Sequence, residues 1–252
     1  MKAVGESAAV DWAAALRTGT GRGVRVGLLD TGVDSRHPAL AGKMAGNYEA
    51  LVDVPQGRVL AREDGEDPNE HGTACAGILT RLAPGAEIHS VQIIGDHPRD
   101  SPLKLIAGFR FAVEQGWDVI NISAGSGTPH PELRELSEAA WKAGLIVIAA
   151  KDNRPEVVGY PAAFPNVLAV DMEHFSQPFA FTFDPRADVE VEASGVYIDA
   201  PRAGGGRQFF TGSSFAAPHL AAIAARLREV VPELDGDRFR LALGQLSQSS
   251  AG

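Results

Sequence analysis

Gly-Ser-Ser-Phe-Ala-Ala-Pro, residues 212–218, carries the chain from a glycine-led turn directly into a run of small residues, 216–225. The run belongs to the longest predicted helix, residues 214–231. Ser214 stands at the start of that helix, where a serine ordinarily serves as an N-cap. A helix N-terminus also favours developing negative charge, so the position suits a nucleophilic serine equally well.

A serine hydroxyl becomes a useful nucleophile when a histidine takes its proton, a carboxylate orients that histidine and fixed N–H donors stabilise the oxyanion. Two upstream motifs supply the first two groups. Asp30 lies in Val-Gly-Leu-Leu-Asp-Thr-Gly-Val-Asp, residues 26–34, and His71 begins His-Gly-Thr-Ala-Cys-Ala-Gly, residues 71–77. The order Asp, His, Ser along the chain is one of three unrelated orders in which this triad occurs. A turn-capping aspartate, the alternative for Asp30, fits Asp34 better.

With these three motifs the sequence resembles the subtilisin-like serine peptidases, the subtilase family, from about residue 19 to about residue 246. The resemblance implies that Ser214 is the nucleophile, His71 the general base and Asp30 the residue that orients the imidazole. It implies a serine endopeptidase that cleaves extended peptides through an acyl-enzyme. Ser213 fills the position where the family usually has threonine, so it is a neighbour of the nucleophile.

Short apolar runs alternate with amphipathic segments, which predicts a three-layer α/β fold whose mostly parallel sheet is flanked by helices. The predicted strands are residues 24–29, 87–94, 118–122, 145–150, 167–170, 179–183, 189–191 and 196–200. The predicted helices are residues 72–80, 103–115, 131–143, 214–231 and 237–246. We expect one domain over residues 1–252, with residues 1–18 as an N-terminal extension and residues 247–252 as a disordered tail.

Polar residues follow three of the predicted strands directly, namely Asp30, Ser123 and residues 151–153. Open α/β sheets build their sites at the carboxyl ends of strands, so we expect these residues to lie together.

The resemblance implies that Asn153 and the Ser214 N–H stabilise the oxyanion, because the spacing from Gly144 to Asn153 equals the spacing in the family. Asp152 is the competing residue, and a surface turn is the remaining alternative. Asp152 stands where the family has glycine, and a carboxylate beside an oxyanion would oppose the charge that the site must stabilise.

The resemblance also implies where a peptide binds. Residues 122–127, Ile-Ser-Ala-Gly-Ser-Gly, match the strand that pairs with an extended substrate, and the alternative for this Gly/Ser run is a flexible loop. The candidate substrate-binding residues in this run are Ser123, Ala124, Gly125 and Ser126. Gly159 matches the lining of the pocket for the residue before the cut, where it would leave room for a large side chain.

Two features beside His71 have several interpretations. Cys75 lies one helical turn after it, and core packing is the main interpretation. Some subtilases carry a free cysteine here, so thiol reagents would inhibit by crowding His71. The acidic stretch of residues 63–70 is first of all a solvated loop. It would otherwise be a rim that prefers Lys or Arg beside the scissile bond, or a metal site.

The composition fits an ordinary globular protein, with 44% hydrophobic and 22% charged residues among 252. The net charge of −9 argues against nucleic acid and anionic membranes as partners. No apolar run has the length of a membrane span. A single cysteine excludes an intramolecular disulfide and favours a reducing cytoplasm. The oligomeric state is left open.

We expect no metal cofactor. The family's high-affinity calcium loop would fall between residues 79 and 84, where only Thr-Arg-Leu-Ala stands, and Ala39 replaces an aspartate that helps to hold the ion. Nothing before Gly19 resembles a propeptide, so either the protein folds unaided or the sequence is part of a longer chain. These features resemble a compact intracellular member, for which removal of a leader from a ribosomally made peptide is one role by analogy.

Two other functions remain open. One is a degenerate protease that serves as a peptide-binding module, which the complete triad argues against and Asp152 keeps possible. The other is an esterase or a peptide ligase on the same scaffold.

Overall fold

A computed structural model describes residues 10–95, 101–154 and 156–249. Its helices are α1 (Trp12–Thr18), α2 (His71–Leu82), α3 (Ser101–Glu114), α4 (Pro131–Lys142), α5 (Ser213–Val230) and α6 (Gly236–Ser249). Its strands are β1 (Arg25–Asp30), β2 (Met44–Leu51), β3 (Arg58–Arg62), β4 (Glu87–Gln92), β5 (Val119–Ile122), β6 (Ile146–Ala150), β7 (Leu168–Glu173), β8 (Phe181–Phe183), β9 (Val191–Ser194), β10 (Ile198–Pro201) and β11 (Arg207–Phe210).

Over the described residues, nine strands form one sheet in the order β3-β2-β4-β1-β5-β6-β7-β9-β8. The seven inner strands run parallel, and the two edge strands β3 and β8 pair antiparallel with their neighbours. Strands β10 and β11 form a separate antiparallel hairpin. The predicted mostly parallel sheet is therefore confirmed.

The sheet is buried on both faces, as a parallel sheet flanked by helices has to be. Successive residues of β1 point to opposite sides: Leu28 packs into the cluster that contains α1, α2, α5 and α6, and Leu29 packs into the cluster that contains α3 and α4. Both leucines are completely buried. The three-layer α/β architecture follows from this alternation.

The structure contains four elements that the sequence did not predict, namely α1, β2, β3 and β11. All four are short or partly exposed. Most residues of β2 are only half-buried, so they lack the continuous apolar run that marks an inner strand. Other predicted elements are present with shifted ends; the predicted strand 87–94, for example, ends at Gln92.

Both chain ends differ from expectation. Residues 12–18 of the predicted extension form α1, whose Trp12 and Ala15 are buried in the main core. The tail predicted to be disordered is wrong for residues 247–249, because α6 continues to Ser249 with Leu243 and Leu246 still buried. The expectations for residues 1–9 and 250–252 lie outside the described residues. In the described part of the chain, no helix combines the length and apolarity needed to cross a membrane.

Candidate active site

The carboxyl edge of the sheet is where the predicted site residues meet. Strand β1 ends at Asp30, while α2 begins at His71 and α5 begins at Ser213. Strand β1 lies between β4 and β5. After β1 the chain forms β2, β3 and β4 on one side of it, and then forms β5 and the later strands of the sheet on the other side. Such a reversal opens a crevice beyond the strand ends, which explains why residues far apart in sequence lie together here.

Asp30, His71 and Ser214 form a continuous hydrogen-bonded chain. His71 Nδ1 lies 2.7 Å from Asp30 Oδ1, and His71 Nε2 lies 2.7 Å from Ser214 Oγ. Because a carboxylate only accepts, Nδ1 carries the hydrogen and Nε2 accepts from the serine hydroxyl. The ring of Phe215 supports the imidazole at a centroid distance of 4.7 Å. This arrangement can move the serine proton onto the imidazole.

The charge on Asp30 favours protonation of His71. Burial raises the pKa of Asp30, but the charge and hydrogen bond of His71 and the Thr31 N–H lower it, so the net pKa is below its ordinary value. Burial lowers the pKa of His71, while Asp30 and Asp67 raise it, so the net pKa is above its ordinary value. The site therefore stabilises the imidazolium that forms when Ser214 loses its proton.

Asp67 is a second buried carboxylate at the site, and the sequence did not single it out. The hydroxyl of Thr31 donates to its Oδ1 at 2.7 Å, and the Thr73 N–H and hydroxyl donate to its Oδ2 at 2.8 and 2.6 Å. Thr31 in turn accepts the Gly72 N–H at 2.9 Å. Asp67 thus joins the residue after Asp30 to the first turn of α2, and so fixes the two elements that carry the His–Asp pair.

The loop that carries Asp67 lies directly against the turn after Asp30. Gly32 has φ +99°, and a Cβ there would lie 2.1 Å from the Glu66 carbonyl oxygen. Only glycine combines that backbone conformation with so close an approach. The Asp-Thr-Gly spacing of the first motif is therefore needed for this contact.

Asn153 lies beside Ser214 with its amide group fixed by Ser213. The Ser213 N–H donates to Asn153 Oδ1 at 3.1 Å, and the Ser213 hydroxyl, whose hydrogen points to the nearer Lys151 carbonyl oxygen at 2.5 Å, lies 3.1 Å from the same Oδ1. This orientation leaves Nδ2 without a hydrogen-bond acceptor among the described residues. A Cβ built on Gly212 would lie 3.6 Å from Asn153 Nδ2 and 3.3 Å from Ser214 Oγ, so the amide and the hydroxyl face the same small space.

Asp152, the competing residue, is held by its own neighbour. Arg154 donates to it from Nε at 3.0 Å, from Nη2 at 2.6 Å and from its backbone N–H at 2.9 Å. These bonds lower the pKa of Asp152 to about 2. The carboxylate is thus ionised and paired, and its charge is balanced by the adjacent guanidinium.

Three of the five predicted substrate-binding residues line a cavity of about 350 Å³, whose lining also contains Ser213 and Asn153. These three are Ser123, Gly125 and Gly159. Ala124 is half-buried and packs against the apolar cluster on the α3 and α4 side of the sheet. The backbone groups of Ala124 and Gly125 have no hydrogen-bond partner among the described residues, so they can still pair with a peptide.

Ser126 requires a correction. Its N–H donates to the Tyr160 carbonyl at 2.8 Å, and its carbonyl accepts the Tyr160 N–H at 2.9 Å. Both backbone groups are therefore already paired with Tyr160, so Ser126 is not placed to pair its backbone with an extended substrate. The antiparallel bridge to Tyr160 could not be predicted from sequence, because it joins two irregular segments far apart in the chain.

Comparison with known proteins agrees with the geometry. Residues 21–247 match the subtilase family. The chain belongs to the subtilase family. Subtilisin E of Bacillus subtilis (strain 168) is 30% identical over 220 residues, which cover 82% of this chain and 55% of that protein. The chain therefore spans about half the length of this curated relative.

Two solved structures carry the same fold as this subtilase chain. Fervidolysin from Fervidobacterium pennivorans, a keratinolytic enzyme related to subtilisin, is 23% identical with a TM-score of 0.74, over 90% of this chain and 39% of that one. The prenylagaramide maturation protease PagA is 25% identical with a TM-score of 0.71, over 92% of this chain and 87% of that one. The predicted subtilisin-like fold is confirmed.

Cys75 of this subtilase chain is buried behind the His–Asp pair. Its Sγ lies 3.8 Å from His71 Nδ1 and 3.4 Å from the Ser214 carbonyl oxygen. Burial and the charge of Asp30 raise the pKa of the thiol well above its ordinary value, so it is neutral at pH 7. Among the described residues, Asp30, His71 and Cys75 are the group whose ligand atoms lie close enough to hold a metal ion. An ion there would break the Asp30–His71 hydrogen bond.

The acidic stretch before His71 divides into two kinds of residue. Glu63, Asp64 and Glu66 are exposed, as expected for a solvated loop, whereas Asp67 is buried in the network described above. The Asp67 carboxylate accepts four hydrogen bonds, from its own loop, from Thr31 and from α2. Both of its oxygens are therefore occupied, and neither is left to bind a metal ion.

Proposed function

We propose that the protein is a serine endopeptidase that cleaves extended peptide or protein substrates. The observation that carries the proposal is the pair of 2.7 Å contacts from His71, one to Ser214 Oγ and one to Asp30 Oδ1. Those distances are within hydrogen-bond reach for nucleophile, base and orienting residue in the order that an acyl-enzyme mechanism requires.

In the first half-reaction the Ser214 oxygen bonds to the substrate carbonyl carbon while its proton moves to His71 Nε2. The carbonyl oxygen becomes an oxyanion that the Ser214 N–H and Asn153 Nδ2 stabilise. His71 then gives the proton to the leaving nitrogen as the C–N bond breaks. In the second half-reaction a water molecule replaces the amine and its oxygen bonds to the acyl carbon while its proton moves to His71 Nε2. His71 then returns the proton to Ser214 Oγ as the ester C–O bond breaks, which releases the acid and restores the hydroxyl.

The narrower role that we propose is processing of a peptide precursor in the cytoplasm, such as removal of a leader. It is supported by the similarity to PagA, a maturation protease whose structure aligns over most of both chains. We propose peptides and proteins as the partners of the site, with neither nucleic acid nor membrane as a ligand. The four residues between α2 and β4 leave little room for a calcium loop, so we propose a reaction without a metal cofactor.

The test is the intact mass of the folded protein after exposure to a fluorophosphonate. We expect one adduct on the wild type, none on Ser214→Ala, and an unchanged adduct on Ser176→Ala, which removes an exposed serine outside the site. Absence of an adduct on the folded wild type would contradict the proposal and favour a peptide-binding module.

A second measurement separates the remaining chemistries. Matched amide and ester substrates, with a search for cyclic products by mass spectrometry, distinguish a peptidase from an esterase or a peptide ligase. We expect amide hydrolysis that Ser214→Ala abolishes.

A further inference from the structure

The cavity beside Ser214 contains a charged pair that belongs to one short loop. Asp152 and Arg154 both line it, and they form a bidentate ion pair. The remaining charged residue of the lining is Lys151. Its Nζ lies 3.1 Å from Oδ2 of Asp171, which is not part of the lining. Asp152 is the one carboxylate among the described residues that line this cavity.

The geometry of acyl transfer directs a substrate side chain into this cavity. A scissile carbonyl carbon at Ser214 Oγ, with its oxygen facing Asn153 Nδ2, has its own Cα next to Ser213 and Asn153. Both of those residues line the cavity. The residue that supplies the scissile carbonyl therefore places its side chain where Asp152 and Arg154 lie.

Arg154 lies at this cavity. Its Nη2 is 2.6 Å from Asp152 Oδ2, while a Cβ built on Gly127 would lie 3.4 Å from the same nitrogen. Gly159 lies beside Asp152 in the lining, because a Cβ built on it would lie 3.5 Å from the Asp152 Cβ. The guanidinium thus lies close to both Asp152 and Gly127, at the cavity that a substrate side chain would enter.

The two partners of the ion pair differ in exposure. The side chain of Arg154 is 65% exposed and that of Asp152 is 26% exposed. Arg154 can exchange its contact with Asp152 for water, since most of its side chain is already exposed to solvent. Asp152 remains in the cavity lining, where the cationic group of a substrate side chain can take the place of Arg154.

We infer that this cavity selects a lysine or arginine as the residue before the cut, whose cationic group replaces the Arg154 guanidinium on Asp152. Arg154 is in effect an internal substitute for that side chain. Arginine is favoured over lysine, because its planar guanidinium can repeat the bidentate contact that Arg154 makes. The inference rests on the proposed peptidase function and adds its substrate class.

The test compares fluorogenic peptide amides that differ only in the residue before the cut, Arg, Lys, Leu or Glu. In the wild type we expect kcat/KM for Arg to exceed that for Leu by roughly tenfold to a hundredfold, the range for a charge-assisted contact. Arg154→Gln should raise the Arg to Leu ratio further, because the competing guanidinium is gone. Asp152→Asn should bring the ratio close to one.

Asp184 and Arg186 provide a matched control, because they form the same two-residue-spaced ion pair on the surface, outside the cavity. Arg186→Gln should leave the Arg to Leu ratio unchanged. Fluorophosphonate labelling of every variant reports folding and the triad independently of the substrate side chain. Labelling without a preference for Arg, or a preference for Glu that depends on Arg154, would overturn the inference and leave the peptidase function standing. No labelling of the wild type would overturn the function itself.

Discussion

Asp67 influences His71 without touching it. Four donors hold its carboxylate, and its negative charge is one of the causes that raise the pKa of His71. Burial is the main cause that raises the pKa of Asp67 itself. Keeping an ionised carboxylate at this buried position therefore costs free energy. We therefore regard Asp67 as a positioning residue for the triad.

The pH profile of Asp67→Asn tests this role. His71 acts as a base only when it is neutral, so activity rises as pH increases through its pKa. Removing the charge of Asp67 lowers that pKa, so the acid limb of kcat/KM should move to lower pH. Glu66→Gln, which removes an exposed neighbouring charge, should leave the limb in place. A loss of rate with an unshifted limb would mean that Asp67 acts through structure alone.

Asn153 is tested by a pair of substitutions. Asn153→Ala removes the proposed donor, and kcat should fall by roughly 10²–10³, the range recorded for the oxyanion-hole asparagine of subtilisin, with KM little changed. Asn153→Asp keeps an oxygen that can accept from Ser213 but has no side-chain N–H, so kcat of this variant should fall at least as far as kcat of Asn153→Ala. Steady-state kinetics on one amide substrate measure both. Near-wild-type kcat in either variant would remove Asn153 from the oxyanion hole.

At the scale of elements, α5 connects the site to the core. Its residues from Ser213 to Ala225 are all buried, and small side chains let it lie close against the sheet. His219 sits in this helix, with its Nδ1 donating to the Phe215 carbonyl at 2.8 Å. Burial is the main cause that lowers its pKa to about 4, and the charge of Arg81 lowers it further.

This buried histidine predicts acid sensitivity. The unfolded chain binds a proton at His219 below its ordinary pKa of 6.5, whereas the folded chain resists it until about 4, so stability falls as pH decreases through that window. The loss between pH 7 and pH 4.5 should be about 2 kcal/mol. Urea unfolding of the wild type and of His219→Gln at both pH values isolates this contribution. An equal loss in both proteins would contradict it.

At the scale of the whole molecule, the last turns of α5 tie three parts of the chain together. The Glu229 carboxylate accepts the backbone N–H groups of Thr20, Gly21 and Arg22. One turn earlier, Arg226 donates to the carbonyl oxygens of Leu82 at 2.6 Å and Leu16 at 2.9 Å. Helix α1 and the end of α2 are thereby attached to the central helix.

Glu229→Ala should lower the free energy of unfolding by about 1–3 kcal/mol, because it leaves several backbone donors without their charged acceptor. Glu233→Ala is the control, because Glu233 is exposed, its ion pair with Arg238 is screened by water, and its loss should cost much less than the loss of Glu229. Urea denaturation measures both. Equal effects of the two substitutions would show that the attachment adds no stability.

The sequence by itself determined the family and the parallel α/β fold, and it supplied the three residues that we propose as the triad. Each of these three residues lies in a local motif whose pattern is set by nearby residues. An apolar strand precedes Asp30, and a helix of small residues follows both His71 and Ser214. Local patterns of this kind can be recognised in a sequence because the burial and backbone conformation of a short segment depend on a few neighbouring residues.

Only the tertiary structure decided the rest. It shows that Asp67 is buried between Thr31 and α2, and that Ser126 pairs with Tyr160. It also shows that Arg154 pairs with Asp152 at the cavity, and that Glu229 accepts the backbone N–H groups of residues 20–22. Most of these contacts join residues more than thirty positions apart, and their partners carry no distinctive local pattern. They depend on how loops meet at the edges of the sheet, which follows from the closure of the whole fold and not from any single segment.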